Sequence, residues 1–173
     1  MPRFIGVIAA AVVGTLATSA AASDLVVDIT LPEHQTAAYR RPYVVVWIER
    51  PSTPVGTLAI WFDARAGGGH GSWWLRNLRT WWRSGARSLA QPVDSVSGPT
   101  RGPGHHTVRF SDNRGVLHDL ADGDYVLAVE AAREHGRHEV VRTPFHWRRV
   151  GPTPQVRRNA GVDEIGAVVV TVA

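Results

Sequence analysis

Residues 42–63 carry the sequence PYVVVWIERPSTPVGTLAIWFD, and this stretch decides the fold. Pro42–Glu49 is almost continuously apolar and rich in β-branched side chains, which is typical of a strand that is covered on both faces. Gly56–Asp63 has the same character, and the Pro- and Ser-containing residues between the two segments predict a turn. We therefore expect two buried strands that pair as a hairpin.

Segments of strand character lie on both sides of this hairpin. Alternating or short apolar runs predict further strands at Ser23–Leu31, His105–Ser111, Tyr125–Ala132, His138–Trp147 and Ile165–Val172. Pro144 indicates an edge or a bulge, and the Pro- and Arg-rich Gly151–Asn159 predicts an irregular link. Tyr125, directly after Asp-Gly at a strand start, is similar to the tyrosine corner of immunoglobulin-like sandwiches. About seven strands predict a single all-β domain, residues 23–173, with an immunoglobulin/fibronectin-like Greek-key β-sandwich fold.

One segment departs from this β pattern. Ser72–Arg83, SWWLRNLRTWWR, contains four of the seven tryptophans. Helical spacing gives two apolar lines and a basic stripe; the lines are Trp74, Leu78, Trp81 and Leu75, Leu78, Trp82, and the stripe is Arg76, Arg79, Arg83. We expect one amphipathic helix near 72–83, with Ser72 as its N-cap and Gly85 after its last turn, lying across a sheet or capping one end.

These tryptophans have two interpretations. Each can bury roughly 200 Å², so they can simply pack the helix onto the core. Alternatively, aromatic and arginine side chains together form an exposed surface for a protein partner or a planar ligand. The candidate partner-binding residues are Trp73, Trp74, Trp81, Trp82, Arg76, Arg79 and Arg83.

The N-terminus predicts export. Arg3 precedes the apolar run Phe4–Ala17, and Ala20–Ala22 has the small residues of a cleavage site. The run is too short for a comfortable membrane span. We expect residues 1–22 to be a cleaved signal peptide and the mature protein to lie in the periplasm.

Composition excludes several classes of function. The chain has no cysteine, which excludes thiolate metal sites, iron–sulfur clusters and thiol catalysis. Its 19 basic residues are all arginines, against 15 acidic residues; scattered over an exported chain, they do not favour nucleic acid as a partner. No nucleophile elbow or carboxylate pair stands out, so we expect no enzymatic activity. Glu130, Arg133 and Glu134 are expected to form surface pairs with the arginine stripe.

Histidines are candidate metal ligands. Imidazole binds zinc, copper or nickel, and three rings converging at a strand edge form a site. The candidates are His105, His135 and His138. Neighbouring residues on a strand point to opposite faces, so only one of His105 and His106 can serve such a site. The alternative is that these are solvated loop histidines.

Several segments in a fixed order carry a resemblance to a known family. PYVVVWIE, TLAIWFD, WWLRNLRTWWR, DSVSGPTRGPG, DGDYVLAVEAAREHG and TPF together resemble the exported bacterial family known as domain of unknown function 2271. Residues 110–130 also resemble the immunoglobulin-like domain of flagellar hook-cap proteins. Members of the family tend to be encoded beside PepSY-type membrane proteins and the flavin transferase that attaches FMN to exported proteins. The resemblance therefore implies a periplasmic accessory protein of a membrane-associated flavin or iron redox system, with a PepSY-type protein as its partner.

The segment DSVSGPT resembles the target motif of that transferase, Asp-x-x-Ser/Thr-Gly-Ala-Thr, whose last threonine takes FMN through a phosphoester bond. The matching positions are Asp94, Ser97, Gly98 and Thr100. Arg101 would then meet the phosphate, and the tryptophans would stack on the flavin. Pro99 replaces the alanine of the motif and restricts Gly98. The alternative is a plain turn before a strand.

Three functions follow from these observations. The first is a non-enzymatic binding or accessory protein in which the helix and the 95–101 loop form the contact region. The second is an electron-transfer protein with covalent FMN on Thr100. The third is a histidine metal-binding module.

Overall fold

A computed structural model describes residues 23–36, 39–51, 53–85, 96–149 and 154–173, so the predicted signal peptide lies outside the described residues. This part of the chain contains nine strands in two sheets. The strands are β1 (Asp24–Leu31), β2 (Tyr43–Arg50), β3 (Thr53–Trp61), β4 (Ser97–Gly98), β5 (Gly104–Ser111), β6 (Gly123–Ala132), β7 (His138–Trp147), β8 (Gln155–Ala160) and β9 (Ala167–Val172). Short helical segments are α1 (Ala66–Gly69), a 3₁₀ helix (Gly71–Asn77), α2 (Arg79–Ser84) and α3 (Val116–Asp119). The all-β sandwich prediction is confirmed.

Strand pairing follows the predicted hairpin. Sheet A has the order β5-β1-β9-β8, and sheet B has the order β4-β3-β2-β6-β7. β2 and β3 pair antiparallel. Because β1 pairs with β5 in sheet A and β2 pairs with β6 in sheet B, the chain crosses back and forth between the sheets in the Greek-key manner. Pro144 lies in β7, an edge strand of sheet B among the described residues, where a missing N–H is tolerated.

The segment predicted as an irregular link contains a strand. β8 (Gln155–Ala160) pairs antiparallel with β9 at the edge of sheet A. Every residue of β8 after Gln155 is exposed. Its sequence therefore carries none of the apolar alternation by which a strand is recognised, and the prediction for Gly151–Asn159 is wrong there.

The main core fills the space between the sheets. Leu25, Val27, Ile29 and Leu31 alternate along β1 and are at most 2% exposed. They meet the inward side chains of β2, β6, β7 and β9 in one cluster. Each such buried aliphatic side chain contributes about 1.5–3 kcal/mol relative to an exposed one.

Tyr125 forms the predicted tyrosine corner at the start of β6. Its hydroxyl donates to the carbonyl oxygen of Ala121 at 2.9 Å and accepts from Nη2 of Arg50 at 2.6 Å. The ring is 4% exposed and lies beside Phe145. The hydroxyl therefore ties the connection before β6 to the end of β2.

The β8–β9 turn joins the sheets through two carboxylates. Glu139 on β7 accepts three hydrogen bonds from backbone N–H groups of residues 162–165, at 2.6, 3.1 and 2.8 Å. Burial raises the pKa of Glu139, but the backbone hydrogen bonds outweigh it and hold the pKa below its ordinary value. Glu164 in the turn accepts from Nε and Nη2 of Arg133, both at 2.9 Å. The turn is thereby fixed to β7 and to the end of β6.

The helical insert, residues 64–85, differs from the single helix predicted near 72–83. The 3₁₀ helix and α2 are separated by Leu78, whose ψ of 73° is not helical. The predicted N-cap is wrong, because the 3₁₀ helix begins at Gly71 and Ser72 lies inside it, with His70 in the N-cap position. Gly85 follows α2 in the left-handed conformation, at φ 86°, as a helix stop requires.

The break decides which residues of the insert face sheet B. Leu75, Leu78 and Trp81 are 7%, 0% and 2% exposed, and their spacing of three residues is the period of a 3₁₀ helix. They pack on the outer face of the sheet in the outer cluster, which also contains Val45, Trp47, Ile60 and Ala128. The predicted contact of Trp74 with this face is wrong, because Trp74 is 45% exposed. The insert does lie across a sheet, as expected.

The tyrosine corner generates a stability prediction. Tyr125→Phe removes the hydroxyl and leaves the Ala121 carbonyl without its donor, which we expect to cost about 1–2 kcal/mol in the free energy of unfolding. For a chain of this size, Tm should fall by roughly 2–8 °C. Thermal and urea denaturation measure both values. Tyr39→Phe is the matched control, and an equal loss in both variants would contradict the prediction.

Candidate functional site

A cleft of about 910 Å³ lies where the insert meets the ends of β2, β6 and β7. Its wall combines aromatic, basic and imidazole side chains with one threonine and two carboxylates, Asp63 and Glu134. We call it the basic cleft; the lining residues used below are Tyr39, Arg41, Tyr43, Trp74, Arg79, Thr100, Arg133, His135, Arg137 and His138. Its volume falls in the range of small-molecule sites, about 300–1,000 Å³.

The arginines of the basic cleft divide into paired and unpaired ones. Arg133 is paired with Glu164, whose hydrogen bonds raise the pKa of Arg133 further above its ordinary value. Arg137 Nε lies 2.9 Å from Oδ2 of Asp163. Arg41 and Arg79 form no ion pair with a carboxylate of the described residues. Two guanidinium groups are therefore available to an anion.

Aromatic rings supply the apolar part of the wall. Tyr43 donates weakly to the carbonyl oxygen of Asp63 at 3.3 Å. Burial raises the pKa of both Tyr39 and Tyr43, so their phenols remain neutral at physiological pH. Trp74 completes the aromatic set, with 45% of its surface exposed. A flat ligand can stack on such rings.

A buried carboxylate holds His138 in the wall. Glu130 on β6 is 0% exposed. Its oxygens accept from the backbone N–H of Thr80 at 2.9 Å and of Trp81 at 2.7 Å, at the start of α2. Nε2 of His138 donates to the same carboxylate. Because an ionised carboxylate only accepts hydrogen bonds, Nε2 is the nitrogen of His138 that carries the proton in this contact.

A second buried carboxylate lies further along the same face of sheet B. Glu49 is 2% exposed. It accepts from Nε1 of Trp47 at 2.9 Å and from Nε and Nη2 of Arg142 at 2.9 and 3.2 Å. These bonds raise the pKa of Arg142. This bidentate pair is structural, since neither partner lines the basic cleft.

The structure therefore corrects the expected role of Glu130. The sequence suggested a surface ion pair, but the side chain is buried and anchors the first turn of α2. Arg133 also differs, because it bonds the buried Glu164 in the β8–β9 turn. Glu134 does form a surface ion pair, 3.8 Å from Arg40, but its partner is not in the arginine stripe.

The candidate flavin loop is divided between two clefts. Thr100 lines the basic cleft and is partly buried. Ser97, Gly98 and Arg101 line another cleft, of about 1040 Å³, at the edges of β3 and β5. The guanidinium carbon of Arg101 lies 4.0 Å from the ring centroid of Trp61. Arg101 is thus stacked in a different cleft from Thr100, and Asp94 lies outside the described residues.

The candidate partner-binding residues also divide. Trp73 and Trp74 are 65% and 45% exposed, and the basic stripe Arg76, Arg79 and Arg83 is exposed as well. Trp81 is 2% exposed and donates through Nε1 to Oγ1 of Thr57 at 2.9 Å. Trp82 is partly buried against the outer cluster. Two of the four tryptophans are therefore on the surface, and the expected surface role of Trp81 is wrong.

The three candidate metal ligands do not converge. His105 lies in sheet A, where Nδ1 is 2.9 Å from Oγ1 of Thr30, whereas His138 lies in sheet B. His135 is exposed beside Glu134. Among the described residues, one group of three possible ligands comes together, His34, Asp163 and Glu164. The carboxylate of Glu164 is already occupied there by Arg133, so this group is an ion-pair network.

Sequence reasoning missed Arg41 and Tyr39, which line the cleft, and the role of Glu130, which bonds the lining residue His138. Arg41 and Tyr39 belong to a polar segment with no periodicity, and only their position before β2 hints that they meet at the end of the sheet. Glu130 stands in an otherwise apolar strand, and a charge at such a position is a signal of a buried partner.

The fold and the cleft define an all-β sandwich whose outer face carries a helical insert and a basic, aromatic-lined cleft. The chain belongs to the family described as predicted periplasmic protein (DUF2271), whose model matches residues 24–167. Neither the curated proteins nor the solved structures contain a significant match to the chain. Along the described segments, no helix combines the length and the apolar character needed to cross a membrane.

The anchoring role of Glu130 generates a prediction. Glu130→Gln replaces one carboxylate oxygen with an NH₂ group, which cannot accept a hydrogen bond from the N–H groups of α2. We expect this to cost about 2–3 kcal/mol in the free energy of unfolding. Hydrogen exchange should show faster exchange of the Thr80 and Trp81 amides. The amides of β1, on the opposite sheet, should be much less affected.

Glu134→Gln is the matched control, because it removes the same charge from an exposed position. Unchanged exchange in α2 of the Glu130→Gln variant would show that the carboxylate does not anchor the insert.

Proposed function

We propose that this protein is a non-enzymatic binding protein of the periplasm that takes a planar, anionic molecule into the basic cleft. The proposal includes export with cleavage of residues 1–22 as a signal peptide. It also includes a role as an accessory protein of a membrane-associated flavin or iron redox system. The observation that carries the binding role is that Trp74, Arg41 and Arg79 line one cleft. The redox setting and a PepSY-type partner rest on the family resemblance alone.

The chemistry of the wall selects the ligand class. An indole and two phenols present flat apolar surfaces, on which an aromatic ring system stacks at about 4.5–7 Å between centroids. Guanidinium groups bind phosphate or carboxylate with paired hydrogen bonds. Arg41 and Arg79 form no ion pair with a carboxylate of the described residues, and the two carboxylates that line the cleft, Asp63 and Glu134, contact the backbone of Arg65 and the side chain of Arg40. A flat molecule with a phosphate or carboxylate group satisfies both halves of the wall.

FMN and hemin are suitable probes, since each combines a flat ring system with an anionic group. We expect the purified protein to bind at least one of them, measured by ligand fluorescence or absorbance titration. Trp74→Ala and Arg41→Ala should each raise the Kd about tenfold or more, because a hydrogen bond to a charged group contributes about 1.5–3 kcal/mol. If the probe is FMN, riboflavin should bind more weakly, since it lacks the phosphate.

Trp73→Ala and Arg157→Ala are matched controls outside the cleft. Failure of both probes to bind, or equal losses in the cleft variants and the controls, would overturn the binding role.

A second candidate function is electron transfer by FMN held covalently on Thr100. The observation in its favour is that Thr100, the residue that matches the last position of the transferase motif, lines the same cleft as Trp74. A flavin attached there has an indole within the same cavity on which to stack. Arg41 is better placed for its phosphate than Arg101, which stacks on Trp61 in the other cleft.

Intact mass of the exported protein, co-expressed with the flavin transferase, tests this function. We expect a gain of one FMN less water, and loss of that gain in Thr100→Val, which keeps the shape and removes the hydroxyl. Pro99→Ala, which restores the motif, should increase the modified fraction. Ser97→Ala is the control, because it removes the other hydroxyl of the motif. The mass gain should persist in this variant if Thr100 is the acceptor. No mass gain while the transferase modifies a known target would discard the covalent flavin.

A further inference from the structure

The exposed side of the insert carries a surface that the basic cleft does not use. Trp73 is 65% exposed. Nε of Arg76 donates to the carbonyl oxygen of Trp73 at 3.0 Å, and the guanidinium carbon lies 4.8 Å from the indole centroid. Arg83 is exposed in α2. None of these three residues lines the basic cleft.

The charge of the insert has one sign. Residues 64–85 contain no aspartate or glutamate and four arginines, Arg65, Arg76, Arg79 and Arg83, all of them exposed. None of the four forms an ion pair with a carboxylate in the described part of the chain. The arginines that do form ion pairs with carboxylates in the described part of the chain all lie outside the insert. A concentrated and uncompensated positive charge therefore surrounds the exposed indoles.

The geometry points to this surface, formed by Trp73, Arg76 and Arg83, as a docking site for an anionic phospholipid bilayer. Indole rings settle at the level of the lipid headgroups, where one end of the ring is apolar and the other polar. Arginines beside them are attracted to anionic lipids, and each strengthens binding by about fivefold near the surface. The inference is independent of what the basic cleft binds.

The small apolar area favours a bilayer over a protein as the occupant. The exposed 65% of the Trp73 indole leaves on the order of 150 Å² of aromatic surface. A stable protein interface needs about 800 Å² on each partner. A lipid surface needs no matching pocket, because the headgroup region deforms around the inserted rings.

Vesicle flotation tests the inference with the exported, processed protein. We expect binding to vesicles of equal parts phosphatidylglycerol and phosphatidylcholine, and at least tenfold weaker binding to phosphatidylcholine alone. Arg76→Ala with Arg83→Ala should weaken binding about tenfold or more, and Trp73→Ala should also weaken it. The indole fluorescence should shift to the blue on binding in the parent protein, and by less in Trp73→Ala.

Matched controls exclude a general effect of charge or apolarity. Arg157→Ala with Arg158→Ala removes two exposed arginines from β8, and Val162→Ser removes an apolar side chain that is 98% exposed; both should leave vesicle binding unchanged. FMN or hemin titration of the Trp73 and Arg76/Arg83 variants separates this surface from the basic cleft. Near-UV circular dichroism checks that each variant is folded.

Two results would overturn the inference. The first is no preference for phosphatidylglycerol, or equal losses in the β8 controls. The second is binding to native membranes that disappears after protease treatment, with no binding to protein-free vesicles, which would identify an acidic protein as the occupant.

Discussion

The buried carboxylate of Glu130 is the interaction on which the outer half of the molecule depends. A charge at 0% exposure is stable only when it is fully hydrogen-bonded. The bonds come from the first N–H groups of α2 and from His138. Sheet B therefore needs the insert to satisfy Glu130, and the insert needs Glu130 because its first turn has free N–H groups that no side chain of its own caps. The basic cleft is formed between the two elements that this contact joins.

Sheet B differs from sheet A in being covered on both faces. Its inner face contributes to the main core and its outer face to the outer cluster. Two buried carboxylates lie on the outer face, Glu49 and Glu130, each with a basic partner on β7. Within this polar framework, Glu130 fixes the position of an insert whose own helices are too short to be stable in isolation. The insert is broken at Leu78, and Leu75, Leu78 and Trp81 all pack on the sheet.

The site follows from this framework rather than from any one motif. Two guanidinium groups and an indole reach the basic cleft from the segment before β2 and from the insert, and Thr100 reaches it from the loop after β4. The motif residues Ser97, Gly98 and Arg101 turn to another cleft. Two tryptophans of one short segment likewise have opposite roles: Trp81 is a core residue bonded to Thr57, and Trp73 is a surface residue stacked with Arg76.

The sequence by itself determined the sandwich, the central hairpin, the tyrosine corner at Tyr125 and the glycine stop at Gly85, since each depends on local periodicity or on one residue's conformational preference. Strand β8 was hidden because an exposed edge strand needs no apolar alternation. Only the tertiary structure decided that Glu130 is buried, that Trp74 faces outward and that Arg41 meets Arg79 and Thr100. The physical reason is that burial and charge pairing are set by what packs against a residue. The N–H groups of Thr80 and Trp81, which bond Glu130, lie 50 and 49 positions away in the chain. The three histidines show the same limit, because a spacing along the chain does not tell which of two sheets a strand will join.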